Sequence, residues 1–196
     1  MQILVVADIE SKYIWDYFDK ERFKDIELVI SCGDLKASYL SFLVTMIPVP
    51  VLYVHGNHDY RYSTNPPEGC DSIEDKIITY KGVRIAGLGG SMEYRGGMHQ
   101  YTEEQMQKRV NKLLKNAKNS IDILVTHASA YQLGDGEGMC HMGFKCFYDV
   151  YEKALPLYHL HGHNHLNYSH NVKRILQYKD ITIINGYDYY ILDFKR

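Results

Sequence analysis

Residues that can hold a divalent cation recur at the ends of apolar runs along this 196-residue chain. Asp8 and Glu10 follow the run Gln2–Ala7, and Asp34 follows Glu27–Cys32. Asn57 and His58 follow Val51–His55, His127 follows Ile121–Val125, and His163 with His165 follow Leu157–Leu160. Carboxylate and amide oxygens and imidazole nitrogens are the donors that bind Mg²⁺, Mn²⁺, Fe or Zn²⁺. Each position alone has an ordinary explanation, since an Asp after a strand is usually a cap and a His there usually packs at the rim. Five strand ends of the same kind are much harder to produce by turn chemistry. The stretch Val51–Asp59 is the most concentrated case. There an apolar, β-branched run discharges into Gly56 and then into Asn57, His58 and Asp59.

The elements needed to position these residues are legible in the same runs. Gln2–Ala7, Glu27–Cys32 and Val51–His55 are short and continuously apolar, as strands buried on both faces are. Between them, Ser11–Lys20 carries Tyr13, Ile14, Tyr17 and Phe18 at helical spacing with Ser11 as N-cap, and Ala37–Met46 reads as a helix that stops before Pro48. This β-α-β-α-β order predicts parallel strands with right-handed crossovers. The segment 61–75 has no periodicity and reads as a loop. Lys76–Tyr80 and Val83–Leu88 flank Lys81-Gly82, a hairpin signal. Thr102 with Gln105 forms a capping-box pattern that opens a polar helix reaching about Lys118. A helix is expected near Lys145–Ala154, and a final meander over Val172–Gln177, Ile181–Ile184 and Tyr189–Phe194. The expected fold class is α/β, with two mixed β-sheets packed as a sandwich, helices on the outer faces, and one domain over 1–196. Sites in such sheets gather beyond the carboxyl ends of strands, so the five clusters could converge.

Composition narrows the function. The formal charge is −2, leaving no basic excess to neutralise a run of phosphates, so nucleic acid is an unlikely tight partner. A small phosphorylated substrate is compatible, because a metal can supply positive charge locally. The four cysteines show no paired spacing, and Cys32 falls within a buried strand. No signal-peptide pattern and no apolar span of membrane-crossing length is seen, so a cytoplasmic location without a membrane partner is expected.

In order, Asp8-Ile9-Glu10, Gly33-Asp34, Gly56-Asn57-His58-Asp59, His127 and Gly162-His163-Asn164-His165 resemble the motif series of the calcineurin-like metallophosphoesterases. The resemblance implies the same two-sheet sandwich and a dinuclear metal centre. Asp34 would bridge two divalent ions, with manganese expected first and magnesium, iron or zinc as alternatives. Asp8, Glu10 and His165 would complete one site; Asn57, His127 and His163 would complete the other. His58 would act on the substrate as general acid or oxyanion stabiliser, and Asp59 would aim the His58 ring. The implied reaction is attack on phosphorus by a metal-bound hydroxide. The protein Ser/Thr phosphatases of the family carry an arginine after their Gly-Asp motif, where this chain has Leu35-Lys36-Ala37-Ser38. That departure slightly favours a phosphodiester or a small nucleotide-like ester over a monoester.

Glu10 stands where the family has His. Replacement of a nitrogen ligand by an oxygen ligand is expected there, which would favour harder Mg²⁺ or Mn²⁺ over Zn²⁺. A non-catalytic interaction scaffold on the same fold is the alternative, and intact His58 weighs against it. Arg61 could reach a substrate phosphate, although a surface arginine is the ordinary reading. Tyr94, His99, Tyr101, Tyr131 and His141 lie on two Gly-rich loops and are candidates to line a pocket. His55, His159, His161 and His170 carry no role by resemblance and are expected to pack in the core or rim.

Overall fold

The computed structural model describes residues 1–118, 120–167 and 173–196. The chain runs β1 (Gln2–Ala7), α1 (Lys12–Trp15), β2 (Ile26–Ser31), α2 (Ala37–Met46), β3 (Val51–Tyr53), β4 (Asp71–Ser72), β5 (Ile77–Tyr80) and β6 (Val83–Leu88). It continues with β7 (Ser91–Met92), β8 (Gln100–Tyr101), α3 (Glu103–Ala117), β9 (Ile123–Thr126), α4 (Phe147–Ala154), β10 (Tyr158–His161), β11 (Ile175–Tyr178), β12 (Ile181–Asn185) and β13 (Asp188–Asp193). One sheet has the order β13-β1-β2-β3-β4 and the other β11-β12-β10-β9-β6-β5; β7 and β8 form a small separate pair. Both large sheets are mixed. β1, β2, β3 and β4 are parallel while β13 is antiparallel to β1. β6, β9, β10 and β12 are parallel while β5 and β11 are antiparallel at the two edges.

Strand alternation explains the layers. Ile3, Val5 and Ala7 point between the sheets, where they meet Ile123, Val125, Leu160 and Ile184 from the opposite sheet. Leu4 and Val6 face the other way and pack with Tyr39, Leu40 and Leu43 of α2. On the far side, Leu124 and Ile183 pack against Met106, Val110, Phe147 and Val150 of α3 and α4. Each central strand is buried on both faces, so its sequence is a continuous apolar run rather than an alternating one. The arrangement is two sheets sandwiched between helices, as expected.

Local differences have physical causes. The helix read from Ser11 to Lys20 stops at Trp15, and a 3-10 turn, Lys20–Phe23, follows, with the Asp19 side chain accepting from the Glu21 N–H. The bend lets Phe18 stack on Phe23 at 5.5 Å and meet Phe42 edge-on at 5.9 Å. Aromatic packing thus outweighs the periodicity. The segment expected as a loop holds a 3-10 turn, Asp59–Ser63, and the short strand β4. The capping box at α3 forms as read: Thr102 Oγ1 accepts from the Gln105 N–H at 3.2 Å, and Gln105 Oε1 accepts from the Thr102 N–H at 2.8 Å. The strand expected from Val172 is present as β11; Val172 itself, like His170, lies outside the described residues. Among the described residues no helix is long and apolar enough to cross a membrane.

Candidate metal centre

The parallel strands of both sheets end on one side of the sandwich, and the chain must turn sharply there to leave the strands. Asp8, Asp34 and His163 make those turns in the left-handed region, at φ 67°, 58° and 66°. Asp tolerates this conformation better than most residues, and His at a cost of order 1 kcal/mol. Gly33 and Gly56 are required for close approach. A Cβ on Gly33 would overlap the backbone of Gly56, and one on Gly56 would overlap the Asp34 carboxylate. The loops after β2 and β3 therefore cross backbone against backbone.

Three side chains meet at this crossing. Ligand atoms of Asp34, His127 and His163 all lie within 4.8 Å of one another. His127 is fully buried and donates Nδ1–H to the Cys32 carbonyl at 2.8 Å. Its Nε2 is then aimed at Asn57 Oδ1 (3.1 Å) and Asp34 Oδ2 (3.2 Å). Two oxygen acceptors converging on one ring nitrogen require a cation between or upon them, either a proton on Nε2 or a metal ion. Asp34, Asn57 and His127 therefore fit a cation, and the donor atom of His163 lies within reach of the same position. His163 donates its backbone N–H to both Asp8 oxygens at 2.9 and 3.0 Å, while its Nε2 meets the Cys140 carbonyl at 2.5 Å. Nε2–H as donor leaves Nδ1 as the lone-pair nitrogen of that ring. His165 Nε2 stands 3.9 Å from Asp8 Oδ1, with its ring 4.8 Å from that of Tyr187.

The donors divide by sheet. Asp8, Asp34 and Asn57, which bring oxygen, follow β1, β2 and β3; His127, His163 and His165, which bring nitrogen, follow β9 and β10. The site lies on the seam of the sandwich.

Over residues 1–167 the sequence matches the calcineurin-like phosphoesterase family. The chain belongs to that family. Among curated protein sequences none matches it. Among solved structures it is similar to TT1561 of Thermus thermophilus, at 16% identity and TM-score 0.65, covering 98% of this chain and 93% of that one. Another solved chain is similar at 12% identity and TM-score 0.66, covering 97% and 94%. At these identities the likeness speaks to the fold alone. A novel archaeal phosphodiesterase aligns over 96% of this chain and 84% of its own, at 13% identity and a TM-score of only 0.44.

Two motif residues of this phosphoesterase-family chain make contacts that the motif did not foretell. Asp59 is buried, and its Oδ2 accepts from the N–H of Gly56 (2.7 Å) and of Asp34 (2.9 Å). It ties the two crossing loops together; among the described residues it has no hydrogen bond to the His58 ring. Glu10 is not one of the three clustered ligands. Its Oε1 accepts from the Lys36 N–H at 2.9 Å and its Oε2 lies 3.3 Å from Lys36 Nζ. Lys36 is the N-cap residue of α2, which has no side-chain cap, so Glu10 places negative charge at that helix start. His58 is exposed, and its backbone N–H donates to Asp34 Oδ1 at 2.7 Å.

A cavity of about 470 Å³ opens over the centre, lined by Asp8, Asp34, Asn57, His58, His163 and His165 and also by Tyr94, Arg95, Cys140 and His141. Tyr94 and His141 were expected there, and the Tyr94 hydroxyl lies 3.4 Å from Asn57 Nδ2. His99 instead stacks on His55 at 4.4 Å, Tyr101 lies under Arg109, and Tyr131 lies beside Lys145. Arg95 and Cys140 were not anticipated, and neither was Glu74. Glu74 accepts from the N–H groups of His55 (3.0 Å) and Gly89 (2.8 Å) and pairs with Arg109, bracing β3 just before Asn57. It falls in a stretch with no periodicity to flag it.

Charges at the centre are strongly coupled. Burial opposes a charge on His127, but the Asp34 carboxylate, its direct hydrogen bond and Asp8 outweigh burial and raise His127 to about 9. Burial would raise Asp34 too; the His127 charge and hydrogen bonds from His127 and His58 hold it below the usual carboxylate range. Burial lifts Asp8 to about 7, and burial with the Asp34 charge lifts Asp59 to about 6. Burial, then the His127 charge, lowers His163. A metal ion must displace the His127 proton. Apparent affinity should therefore rise about tenfold per pH unit below about 9, with an added dependence below about 7 from Asp8. Calorimetry of Mn²⁺ uptake at pH 7 in buffers of differing ionisation enthalpy should show net release of about one proton or more. Uptake with no proton release would contradict the pairing of His127 with Asp34 and Asn57.

Behind His127 runs a buried polar chain. Thr126 Oγ1 donates to the Ala128 carbonyl (2.5 Å), so it accepts from His159 Nε2–H (2.7 Å), and His159 Nδ1 accepts from the Tyr151 hydroxyl (2.6 Å). Burial keeps His159 neutral. His159→Phe preserves a ring but orphans the Tyr151 hydroxyl and removes a donor from Thr126. It should cost about 2–4 kcal/mol. A denaturant midpoint unchanged at constant slope would show that the chain of hydrogen bonds contributes nothing.

Proposed function

We propose that this protein is a divalent-metal-dependent phosphodiesterase that hydrolyses a small, nucleotide-like phosphate ester. The observation carrying the reading is the convergence of His127 Nε2 with Asn57 Oδ1 and Asp34 Oδ2 beside an exposed His58. When bound, divalent ions supply a water activated at neutral pH and a clamp for the phosphoryl oxygens. Asp34, Asn57, His127 and His163 would hold one ion. Asp8, Asp34 and His165 would hold a second, and Glu10 would complete that site by leaving Lys36. Manganese suits this oxygen-rich set.

The chain's own residues supply the rest. Asn57 is a neutral oxygen ligand, so it binds without cancelling the charge that attracts phosphate. Asp59 fixes the spacing of Asp34 and Gly56, and thereby of His58. His58, free of carboxylate partners among the described residues, is placed to donate a proton to the leaving oxygen. Four free thiols fit a reducing cytoplasm. An exposed imidazole over a charged cluster gives no support to a purely scaffolding role.

Hydrolysis of bis(p-nitrophenyl) phosphate and of p-nitrophenyl phosphate, with added Mn²⁺ and with chelator, tests the reading. The diester is expected to be the better substrate and chelator to abolish its turnover. Turnover surviving complete metal removal, or none on any ester, would overturn it.

A further inference from the structure

A second cavity, of about 490 Å³, adjoins the one over the metal centre and shares Asp34 and His58 with it. Its walls are the start of α2, with Lys36 and Ser38, and the 3-10 turn after His58, with Tyr60, Arg61 and Asn65. Its volume is that of an ordinary small-ligand site, and Asn57, His127, His163 and His165 do not line it. Three carboxylates reach this cavity, and all are committed. Asp34 belongs to the candidate metal centre, Asp59 is buried against two N–H groups, and Glu10 is held by Lys36 here and would be held by the second ion once metal is bound. Arg61 has no carboxylate partner among the described residues; its guanidinium lies 5.7 Å from the Tyr60 ring centroid. Its backbone is firmly placed. The Arg61 carbonyl accepts from the N–H groups of Thr64 (3.1 Å) and Asn65 (2.8 Å), and the Tyr62 hydroxyl donates to the Leu35 carbonyl (2.5 Å). An unneutralised guanidinium therefore stands on a fixed turn, and Lys36, 3.3 Å from Glu10, lines the same cavity.

We propose that this cavity receives a second anionic group of the substrate, with Arg61 as the specificity-determining residue. The preferred substrate class is then a phosphodiester with a further phosphate or carboxylate on one arm, rather than a diester with neutral arms. A guanidinium suits that task because it presents planar paired donors to an oxyanion. The inference rests on the phosphodiesterase reading and extends it from the reaction to the substrate.

The test uses two esters with the same scissile bond, thymidine 5′-(p-nitrophenyl phosphate) and its 3′-phosphorylated form, on the Mn²⁺-loaded protein. The 3′-phosphorylated ester should have a kcat/KM about tenfold higher, mainly through KM. The ratio should fall towards one in Arg61→Gln and be partly restored in Arg61→Lys. A wild-type ratio at or below one, or a ratio unchanged in Arg61→Gln, overturns the proposal. Absence of turnover on both esters would count against the phosphodiesterase reading and leave the cavity to be scored by binding. Calorimetry of thymidine 3′,5′-bisphosphate against thymidine 5′-monophosphate serves there. Tighter binding of the bisphosphate, lost in Arg61→Gln, supports the cavity assignment, and equal binding to the wild type overturns it.

Discussion

Asp34→Asn is expected to lose metal retention almost completely, with affinity falling by at least about 100-fold and turnover with it. Loss of a group that only orients a ligand already costs about 10- to 100-fold, and Asp34 stands among the clustered donors themselves. The substitution is sterically mild. Asn tolerates the left-handed backbone that Asp34 adopts, and its amide oxygen can still accept the His58 N–H. The other end of the side chain fails. Where Asp34 Oδ2 faces His127 Nε2 at 3.2 Å, asparagine would present an NH₂ donor towards the cation position. His127 would also lose the carboxylate that chiefly sustains its raised pKa and would become neutral at lower pH. Metal content after dialysis reads the first effect and imidazole titration by NMR the second. Wild-type stoichiometry and affinity would remove Asp34 from the ligand set. Loss of one ion with the other retained would deny it a bridging position.

His58→Ala should lower kcat by about 10²- to 10⁴-fold while metal content stays near the wild-type value. The reason for the split is visible in the bonds. Among the described residues the hydrogen bond from His58 to the clustered donors is its backbone N–H to Asp34 Oδ1, which alanine keeps. Its ring is exposed and lines both cavities. Loss of metal together with activity would make His58 part of the metal-binding structure instead.

Much of this centre was legible because the strands that carry it are buried on both faces. A continuous apolar run that ends in Asp, Asn or His is a strong local signal, and β1, β2, β3, β9 and β10 each give one. The α3 cap was legible for the same reason, since both partners lie three residues apart. What could not be read depends on pairs distant in sequence. Glu10 is held by a residue 26 positions away, and the Nε2 of His163 meets a carbonyl 23 positions away. Asp59 shows the limit most plainly: the family resemblance implied that it aims the His58 ring, whereas its carboxylate bonds the backbone of Asp34, 25 residues earlier. The short α1 was missed because packing among Phe18, Phe23 and Phe42 decides where the helix stops.

The division of donors between the two sheets has a mechanical consequence. Oxygen from the first sheet and nitrogen from the second make any bound ion a rivet through the seam of the sandwich. An ion present at 100 times its dissociation constant adds about 2.7 kcal/mol to the folded state. Here that energy would act specifically against separation of the two halves at the edge that carries the centre. Metal supply would then set how firmly the sandwich is shut, as well as whether it is active.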